Sequence, residues 1–375
     1  MQPPFDVAVV GGGAAGASCA VHLALAGFNV VVLEQGPSPR SKPCGGGMAA
    51  SVQQWFPFAL SPAVDQVIRR VRFTWCLEDP VVAELPGEAP FWIVQRQRLD
   101  DHLLQHATAA GAELRQNWPV NALQRLGTLW ELQGPAGSLR AKAVVIAAGS
   151  SSTLGAALAL GSPRPRYATT LAVDVSAPVQ ESETARFDFG LVHHGFCWSF
   201  PRQGGYSIGL GTFIGREPAD GQAVLEQLLP DLGLAADSGV RTSSALRIWD
   251  GHHRLHGDGV VVVGDAASLC DPFLAEGIRP ALLSGTAAAT SLGQWLRGDD
   301  QALGQYSARM RREWGDSMAW GKRIAQVFYR VPRIGYQLGI KRPTAPQRIA
   351  QILSVQMGYG DIAQRVIKRL LFQQG

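Results

Sequence analysis

Apolar runs and alternating segments mark the predicted strands of this chain. Residues 7–10 and 30–33 are short apolar runs separated by a helix-like stretch that ends near Leu25. Residues 259–263 form a β-branched run, which is typical of a parallel strand buried on both faces. Residues 70–75 and 206–210 instead alternate polar with apolar positions, which predicts antiparallel strands. The pattern therefore combines a parallel α/β unit with an antiparallel sheet.

A glycine-rich turn lies between the first strand and the first helix, where Gly11, Gly13 and Gly16 have the spacing G-x-G-x-x-G. The first glycine allows a tight turn, the second lets the backbone approach a phosphate, and the third lets the helix pack on the strand. The second strand then delivers Glu34, a carboxylate placed to accept hydrogen bonds from a ribose. A merely tight turn explains the glycines but not Glu34, so we predict a dinucleotide site at the helix N-terminus.

A late segment indicates which dinucleotide binds. The run 259–263 ends at Gly264 and Asp265, and a helix is predicted from Arg279 to about Leu292. With the early turn, this segment resembles FAD enzymes of the glutathione-reductase and p-hydroxybenzoate-hydroxylase type. The resemblance implies that Asp265 binds the ribityl chain and that the next helix points its positive N-terminus at the flavin. An ordinary helix N-cap is the alternative role of Asp265.

Two more segments are similar to that superfamily. Residues 94–107 fit R-x-x-[FL]-D-x-x-L-x-x-x-A, which implies that Arg96 contacts the FAD phosphates through its fork of donors. Arg98 is the competing candidate, since the sequence does not say which arginine points inward. Residues 143–149 resemble the strand that closes the adenine side, and Val120 stands where relatives hold the adenine by backbone contacts.

A second resemblance, to the geranylgeranyl reductase family, rests on three segments. Residues 43–47 resemble its cysteine and triple-glycine loop, residues 196–202 its Y-x-W-x-F-P-K segment, and residues 264–285 the entry to its helix. Phe196 stands where that family has Tyr, and residues 271–275 replace its commoner N-P-x-T-G. The glycine turn and the two resemblances together predict these cofactor-binding residues: Gly11, Gly13, Ala15, Gly16, Glu34, Gln35, Arg40, Cys44, Gly45, Gly46, Arg96, Val120, Gly149, Asp265, Pro272, Gly277 and Ile278.

Cys44, Trp198 and Phe200 are the predicted catalytic residues. The glycines after Cys44 let the loop lie flat against an isoalloxazine ring, which brings the thiol near the flavin either as packing or as a tuning group. Trp198 and Phe200 face one side of a strand because they alternate with Cys197 and Ser199. That side either walls a tunnel for an apolar chain or packs in the sheet core.

The resemblance implies a FAD-dependent oxidoreductase of lipid or chlorophyll biosynthesis that reduces isolated C=C bonds of a prenyl (geranylgeranyl) chain on a lipid or diphosphate. Because such an alkene has no electron sink, we expect protonation to tertiary cation character, stabilised by aromatic faces, and hydride transfer from N5 of the reduced flavin. Asp271 and Glu276 are candidate proton donors or, alternatively, helix caps. The alternatives are a FAD-dependent monooxygenase of an aromatic or polycyclic substrate and a quinone-linked electron-transfer flavoprotein. No second G-x-G-x-x-G is present, which leaves NADPH, ferredoxin or a quinol as electron donor.

The five cysteines include neither C-x-x-C nor a zinc-type spacing, which predicts reduced thiols, no metal site and a cytoplasmic location. We expect no signal or transit peptide, and no apolar stretch approaches the ~18 residues of a spanning helix. Residues 301–375, however, hold thirteen Lys or Arg against three acids, in a chain of net charge +4. This tail predicts peripheral contact with an anionic inner membrane face, or attraction of a prenyl diphosphate or an acidic electron-carrier protein. A solvated basic face is the alternative, and no nucleic-acid motif accompanies the charge.

These patterns predict an α/β fold with a Rossmann-type, glutathione-reductase-like FAD domain. An interleaved antiparallel β-sheet domain for the substrate and a helical C-terminal region complete the expected architecture. The expected divisions are residues 1–75, 95–165 and 250–300 for the FAD domain, 76–94 and 166–249 for the substrate domain, and 301–375 for the C-terminal helical, basic region.

Overall fold

A computed structural model describes residues 3–213, 220–342 and 344–372, with the backbone alone for 366–372. Its strands are β1 (Phe5–Val10), β2 (Val30–Leu33), β3 (Gly47–Ala49), β4 (Val64–Ile68), β5 (Arg70–Trp75), β6 (Glu78–Glu84), β7 (Phe91–Val94), β8 (Glu113–Arg115), β9 (Ala122–Leu126), β10 (Leu129–Gly134), β11 (Gly137–Ile146), β12 (Arg166–Ser176), β13 (Thr184–Phe189), β14 (Gly195–Arg202), β15 (Gly205–Thr212), β16 (Val240–Ile248), β17 (His256–Gly257) and β18 (Val260–Val262). Its helices are α1 (Ala14–Leu25), α2 (Arg96–Ala109), α3 (Leu154–Ala157), α4 (Gly221–Asp231), α5 (Ile278–Leu296), α6 (Ala302–Met310), α7 (Asp316–Arg330), α8 (Pro332–Gly339), α9 (Ala345–Leu353) and α10 (Tyr359–Phe372).

The first sheet gathers the predicted dinucleotide elements at one edge. Its strand order within the described residues is β17-β18-β11-β1-β2-β8, with β10 and β9 added to β11. Strand β1 lies parallel between β2 and β11, and β11 is also parallel to β18. Because carboxyl ends of parallel strands meet at the same edge, the segments that begin at Gly11, Glu34, Ala147 and Val263 converge there.

Helices α1 and α5 cross so closely that there is no room for a side chain at Gly285. A Cβ on Gly285 of α5 would lie 2.3 Å from the carbonyl oxygen of Ala15 on α1. Across the same contact, the hydroxyl of Ser18 donates to the carbonyl oxygen of Leu282 at 3.1 Å. The late segment is thereby fixed against the early glycine turn, although 264 positions separate Ser18 from Leu282 along the chain.

The second sheet has two different faces. Its order is β16-β12-β15-β14-β13-β5-β6, and the pairs are antiparallel except for β13 with β5. Strand β5 was predicted to be antiparallel; it is antiparallel to β6 but parallel to β13, because alternation reports a buried face and not the direction of a partner. On one face Cys197 packs with Ile208 and with Leu225 of α4, so the aromatic residues of β14 point to the other face.

The C-terminal helices are attached to the rest of the molecule by buried aromatic side chains. Each donates a hydrogen bond of 2.7–2.8 Å to a backbone carbonyl oxygen: Tyr306 to Val262, Trp314 to Leu269, Tyr329 to Phe273, and Tyr336 to Asp79. The predicted fold class, including C-terminal helices, is confirmed. Of the predicted C-terminal region, residues 343 and 373–375 lie outside the described residues, as do the side chains of Lys368 and Arg369. The proposed domain division stays a prediction.

None of the described helices combines the length and the apolar character needed to cross a membrane.

Candidate active site

The glycine turn after β1 is held at van der Waals limits. Gly11 has φ +102°, and a Cβ there would lie 2.5 Å from the carbonyl oxygen of Ala147. A Cβ on Gly16 would lie 1.9 Å from the carbonyl oxygen of Gly11. Any side chain at these two positions would therefore displace backbone, which is the close strand–helix approach that a dinucleotide turn requires.

Glu34 braces this turn from the end of β2. Its side chain is buried, and Oε2 accepts a hydrogen bond from the backbone N–H of Gly12 at 2.7 Å. Arg40 lies on the other side of that oxygen, with its Nε at 3.6 Å. Nη2 of Arg40 lies 2.7 Å from where a Cβ of Gly13 would be, so a guanidinium covers the N-terminus of α1. Cationic donors at a helix N-terminus suit a phosphate.

The choice between Arg96 and Arg98 is decided by the face of α2 on which each lies. Arg96 is 9% exposed and donates to both oxygens of Asp100, at 3.0 and 2.7 Å. Arg98 points outward, where it reaches Asp65 at 3.3 Å. The central cavity is enclosed by the glycine turn, the cysteine loop, β14 and the start of α5, and of the two arginines only Arg96 borders it. Its contact with FAD phosphates stays a prediction.

The cysteine loop lies flat between β7 and β14. Gly46 has φ +83°, and a Cβ there would lie 2.0 Å from the carbonyl oxygen of Val94. A Cβ on Gly45 would meet the ring of Phe200 at 3.0 Å and Nε1 of Trp198 at 3.1 Å. The loop backbone therefore faces the aromatic rings of Phe200 and Trp198 directly, and its predicted contact with an isoalloxazine ring stays a prediction.

Trp198 carries an unsatisfied donor at the cavity wall. Its Nε1 is buried and has no hydrogen-bond partner among the described residues. Buried indole N–H groups normally find an acceptor, so this one points to an absent ligand with an acceptor atom. Gly209 makes room for the indole, because a Cβ there would lie 2.3 Å from Cζ2 of Trp198.

The sequence did not predict one ion pair and one hydrogen bond around the cavity. Lys42 pairs with Asp265 at 3.0 Å, and Arg202 donates to the carbonyl oxygen of Cys44 at 2.8 Å. Asp265 lies in a 3₁₀ turn well before α5, so it does not cap that helix. Lys42 immediately precedes the cysteine loop. Its partner is 223 positions away, however, and no local pattern predicts a pairing of residues so far apart.

Neither candidate proton donor combines access to the cavity with an unengaged carboxyl group. Asp271 is buried away from the cavity lining, and it accepts hydrogen bonds from two backbone N–H groups and from Tyr359. Burial raises the pKa of Asp271 to about 6, although these hydrogen bonds oppose the shift. Glu276 does line the cavity, but both of its oxygens accept from Arg279, at 3.0 and 3.1 Å.

The cavity unites most, but not all, of the predicted site. All three predicted catalytic residues line it. So do the predicted cofactor-binding residues Gly13, Ala15, Cys44, Gly45, Gly46, Arg96, Gly149, Asp265, Gly277 and Ile278. Seven predicted cofactor-binding residues lie outside its lining: Gly11, Gly16, Glu34, Gln35, Arg40, Val120 and Pro272. Pro272 borders a separate cleft instead, because the turn after Asp271 directs it away from the cavity.

Apart from Lys42, Thr170 and Glu276, the remaining lining is apolar and aromatic, with Phe91, Phe187, Phe196 and Phe213 beside Trp198 and Phe200. Among the described residues, no group of three or more His, Cys, Asp or Glu could hold a metal ion.

The fold and the site together define a class of flavoprotein. Residues 6–75 and 88–295 match the family described as FAD dependent oxidoreductase. The chain therefore belongs to the FAD-dependent oxidoreductase family and is an enzyme of that class.

Its relatives include differently named members. The chain is 27% identical over 355 residues to digeranylgeranylglycerophospholipid reductase 2 of Methanopyrus kandleri, covering 86% of each protein. It is 29% identical over 328 residues to a probable electron transfer flavoprotein-quinone oxidoreductase of Escherichia coli, covering 77% of this chain and 76% of that one. The fold is similar to that of a geranylgeranyl bacteriochlorophyll reductase-like protein from Thermoplasma acidophilum, with a TM-score of 0.85, 19% identity, and coverage of 98% and 100%.

The residues present fit FAD. The N-terminus of α1 at Gly13 is bordered by the guanidinium groups of Arg40 and Arg96, whose Nη2 atoms lie 2.7 and 3.7 Å from where a Cβ of Gly13 would be. The glycine loop and the indole of Trp198 meet at the cavity, and the N–H of Trp198 there has no hydrogen-bond partner among the described residues. The N-terminus of α5 at Ile278 borders the same cavity, and its positive potential suits a reduced, anionic flavin.

Proposed function

We propose that the enzyme reduces isolated carbon–carbon double bonds in a prenyl (geranylgeranyl) chain that is carried by a lipid or a diphosphate. The observation that carries this proposal is the aromatic wall of Phe187, Phe196, Trp198 and Phe200 directly opposite the glycine loop. An apolar chain gains free energy by burial against such a wall, at ~25 cal/mol per Å². The similarity to a protein named digeranylgeranylglycerophospholipid reductase supports the same substrate class.

When bound and reduced, FAD supplies a hydride from its N5 atom. The residues of this chain would hold the alkene in the cavity beside Phe187, Phe196 and Phe213, and the apolar lining would keep water out. Trp198 and Phe200 line the cavity, and their rings would stabilise the tertiary cation character that protonation of the alkene creates. The electron donor, NADPH or ferredoxin, stays a prediction.

A second candidate function is quinone-linked electron transfer. The similarity to a probable electron transfer flavoprotein-quinone oxidoreductase favours it, and an aromatic-lined cavity would also hold a quinone ring. Under this function no alkene is reduced.

An anaerobic assay separates these functions. Enzyme loaded with FAD and reduced with dithionite is mixed with geranylgeranyl diphosphate or a geranylgeranylated lipid, and products are analysed by mass spectrometry. We expect stepwise gains of two hydrogen atoms. Reoxidation by a quinone without any such gain would support electron transfer instead, and oxygen-dependent NADPH consumption would support a monooxygenase.

Variants of Trp198 test the aromatic wall. Trp198→Ala removes the ring face, and we expect turnover to fall about 10- to 100-fold, the equivalent of a desolvated cation–π contact. Trp198→Phe keeps a ring and should lose less. Trp55→Ala is the control, since Trp55 lies outside the cavity lining. Unchanged turnover of Trp198→Ala with FAD still bound would rule out the cation-stabilising role.

We further propose that the enzyme contacts an anionic membrane through α7 and α8. Four large apolar side chains there are 42–67% exposed, and we call them the α7–α8 patch: Val327, Val331, Ile334 and Leu338. Arg330 and Arg333 are exposed beside them. Exposed apolar residues flanked by arginines are typical of an interfacial helix, to which each basic residue adds ~1 kcal/mol near an anionic surface.

A further inference from the structure

A second cleft, of about 1020 Å³, opens beside the central cavity. It lies between the start of β12, the end of β16 and helix α7. Its polar and aromatic lining includes Arg166, Tyr167, His194, Trp249, Lys322 and Arg330. Val327 and Val331 also line it, so the cleft opens beside the α7–α8 patch. None of the cofactor-binding residues predicted from the sequence belongs to this cleft except Pro272.

The cleft concentrates positive charge without a matching acid. Arg166, Lys322 and Arg330 line it, and among the described residues the lining contains no Asp or Glu. Lys322 donates to the backbone carbonyl oxygen of Asp250 at 2.5 Å, while the carboxylate of Asp250 is engaged by Ser162 and His253. Burial and the repulsion of Arg166 lower the pKa of Lys322, with Asp250 opposing the shift. Cations kept together in this way are stabilised by an anion.

The cleft and the central cavity meet at an aromatic stack centred on Phe213. Phe213 lines both. Its ring stacks on Tyr329 on the cleft side, with centroids 5.1 Å apart, and on Phe196 on the cavity side, with centroids 5.5 Å apart. A ligand with an anionic end and an apolar chain therefore finds a cationic chamber and an aromatic chamber next to each other.

We propose that the cleft binds the phosphate or diphosphate head group of the prenyl substrate, with the chain passing Phe213 to reach the aromatic wall. This inference rests on the proposed function, because the prenyl chain in the central cavity would be the other part of the same substrate molecule. A phosphate is costly to bury in an apolar cavity unless it is paired, so the head group must remain among cations while the chain is buried. Guanidinium groups pair with phosphate oxygens in bidentate geometry, which suits Arg166 and Arg330 to this role.

The kinetic test compares a charged with an uncharged head group. We expect Arg166→Gln and Arg330→Gln each to raise KM for geranylgeranyl diphosphate about 10-fold, as for loss of a charge-assisted hydrogen bond, and to leave kcat unchanged. KM for geranylgeraniol, which lacks the phosphates, should not change. Arg323→Gln is the matched control, because Arg323 lies on the same helix outside the cleft. Equal KM changes for the diphosphate and geranylgeraniol would overturn the inference, as would an unchanged KM for every phosphate-bearing substrate.

A binding test works without turnover. Isothermal titration of the full-length protein with inorganic pyrophosphate should show binding that Arg166→Gln with Arg330→Gln weakens at least about 10-fold and that Arg323→Gln leaves intact. If the wild type reduces no prenyl substrate but shows this pattern, the proposed function fails while the anion site stands. Pyrophosphate binding that the double variant leaves unchanged overturns the site even if alkene reduction is observed.

The source of the phosphate is decided by the same variants. A geranylgeranylated glycerophospholipid presented in vesicles replaces the soluble diphosphate as substrate. A rise in KM for the lipid alone in Arg166→Gln, whose residue lies outside the α7–α8 patch, identifies a membrane lipid, and a rise for the diphosphate alone identifies a soluble substrate; either supports a phosphate head group in the cleft. Weakened reduction by an acidic electron-carrier protein, with both KM values unchanged, would instead identify the cleft as a protein docking site and contradict the inference.

Discussion

The hydroxyl of Tyr359 on α10 donates a hydrogen bond of 2.7 Å to Oδ2 of Asp271, which is fully buried in the loop before α5. The other carboxylate oxygen accepts from the backbone N–H groups of Phe273 and Leu274, at 2.6 and 3.0 Å. Leu274 and the next residue, Ala275 with φ +56°, both line the central cavity. The C-terminal helices therefore help to shape the wall opposite the glycine turn.

Tyr359→Phe should destabilise the protein and loosen this loop. A hydrogen bond to a buried carboxylate contributes about 1.5–3 kcal/mol, and its loss should lower the free energy of unfolding by that amount in urea titrations. FAD affinity should fall as well, because the loop borders the cavity. Tyr206→Phe is the control: its hydroxyl accepts from the backbone N–H of Gln180, far from the loop, so FAD affinity should be kept.

Asp271 should also make stability depend on pH. Burial raises its pKa in the folded protein to about 6, against an ordinary value of 3.8 that we assign to the unfolded chain. Between these values the folded state holds a proton that the unfolded state has lost, so this contribution is complete below about pH 4 and falls as pH rises through 6. At about 1.4 kcal/mol per pH unit, the loss approaches 3 kcal/mol by pH 7.

Asp271→Asn isolates this dependence, since the amide does not titrate. The free energy of unfolding of the wild type minus that of the variant should decrease between about pH 4 and pH 7 and then level off. Urea titrations at intervals of half a pH unit measure it. A difference that stays flat over this range would show that Asp271 titrates normally.

Gly16→Ala should abolish the tight crossing of β1 and α1. The added Cβ would lie 1.9 Å from a backbone oxygen that has no freedom to rotate away, so we expect a loss of at least about 1–3 kcal/mol and of most bound FAD. Gly36→Ala is the matched control, because nothing lies within 4 Å of its Cβ position. Calorimetry and the ratio of flavin absorbance to protein measure both effects. Retained FAD in Gly16→Ala would disprove the predicted dinucleotide turn.

Arg96→Gln should cost more than Arg98→Gln, although the two residues lie two positions apart. The first change leaves the buried carboxylate of Asp100 without its partner, at a cost of about 3–5 kcal/mol. The second removes a longer pair of 3.3 Å in which Arg98 is half exposed, and Asp65 keeps hydrogen bonds from Gln95 and Gln203. A combined Arg96→Gln and Asp100→Asn variant should recover part of that stability. FAD binding that recovers with it would show that Arg96 is structural, and FAD binding that stays weak would support a phosphate contact.

The α7–α8 patch should bind anionic vesicles. Ile334→Ser with Leu338→Ser removes apolar area that would insert into the lipid, so we expect co-sedimentation with vesicles rich in phosphatidylglycerol to weaken about 10-fold or more. Binding should weaken further at high salt and be slight on phosphatidylcholine. Val240→Ser is the control, since Val240 is 80% exposed on β16 outside the patch. Equal loss in the control, or none in the patch variant, would contradict membrane contact through α7 and α8.

The parts of the molecule that the sequence predicted are those built from neighbours along the chain. The helix after the glycine turn ends at Leu25 as expected, and the predicted runs at 30–33 and 259–263 coincide with β2 and β18 to within one residue at each end. These elements follow from short-range rules, since a glycine spacing and a β-branched run restrict the backbone locally. The resemblance to flavoproteins predicted the class of enzyme more specifically than these patterns did.

Residues separated by long stretches of chain were beyond such rules. Whether Arg96 or Arg98 points inward depends on where α2 packs, and the pairing of Lys42 with Asp265 joins segments 223 positions apart. The parallel pairing of β5 with β13 was likewise not readable from alternation. Each of these depends on the burial of a charge or a face by a distant element.

By itself, then, the sequence determined the glycine turn, the alternating aromatic residues of β14 and the basic C-terminal region, because local backbone geometry and side-chain chemistry depend on consecutive residues. Only the tertiary structure decided that Phe213 lines both a cationic cleft and an aromatic cavity. It also decided that Tyr359 holds Asp271 in the loop before α5. Both relationships arise from packing, in which distant segments must satisfy one another's buried polar groups and fill one another's volume.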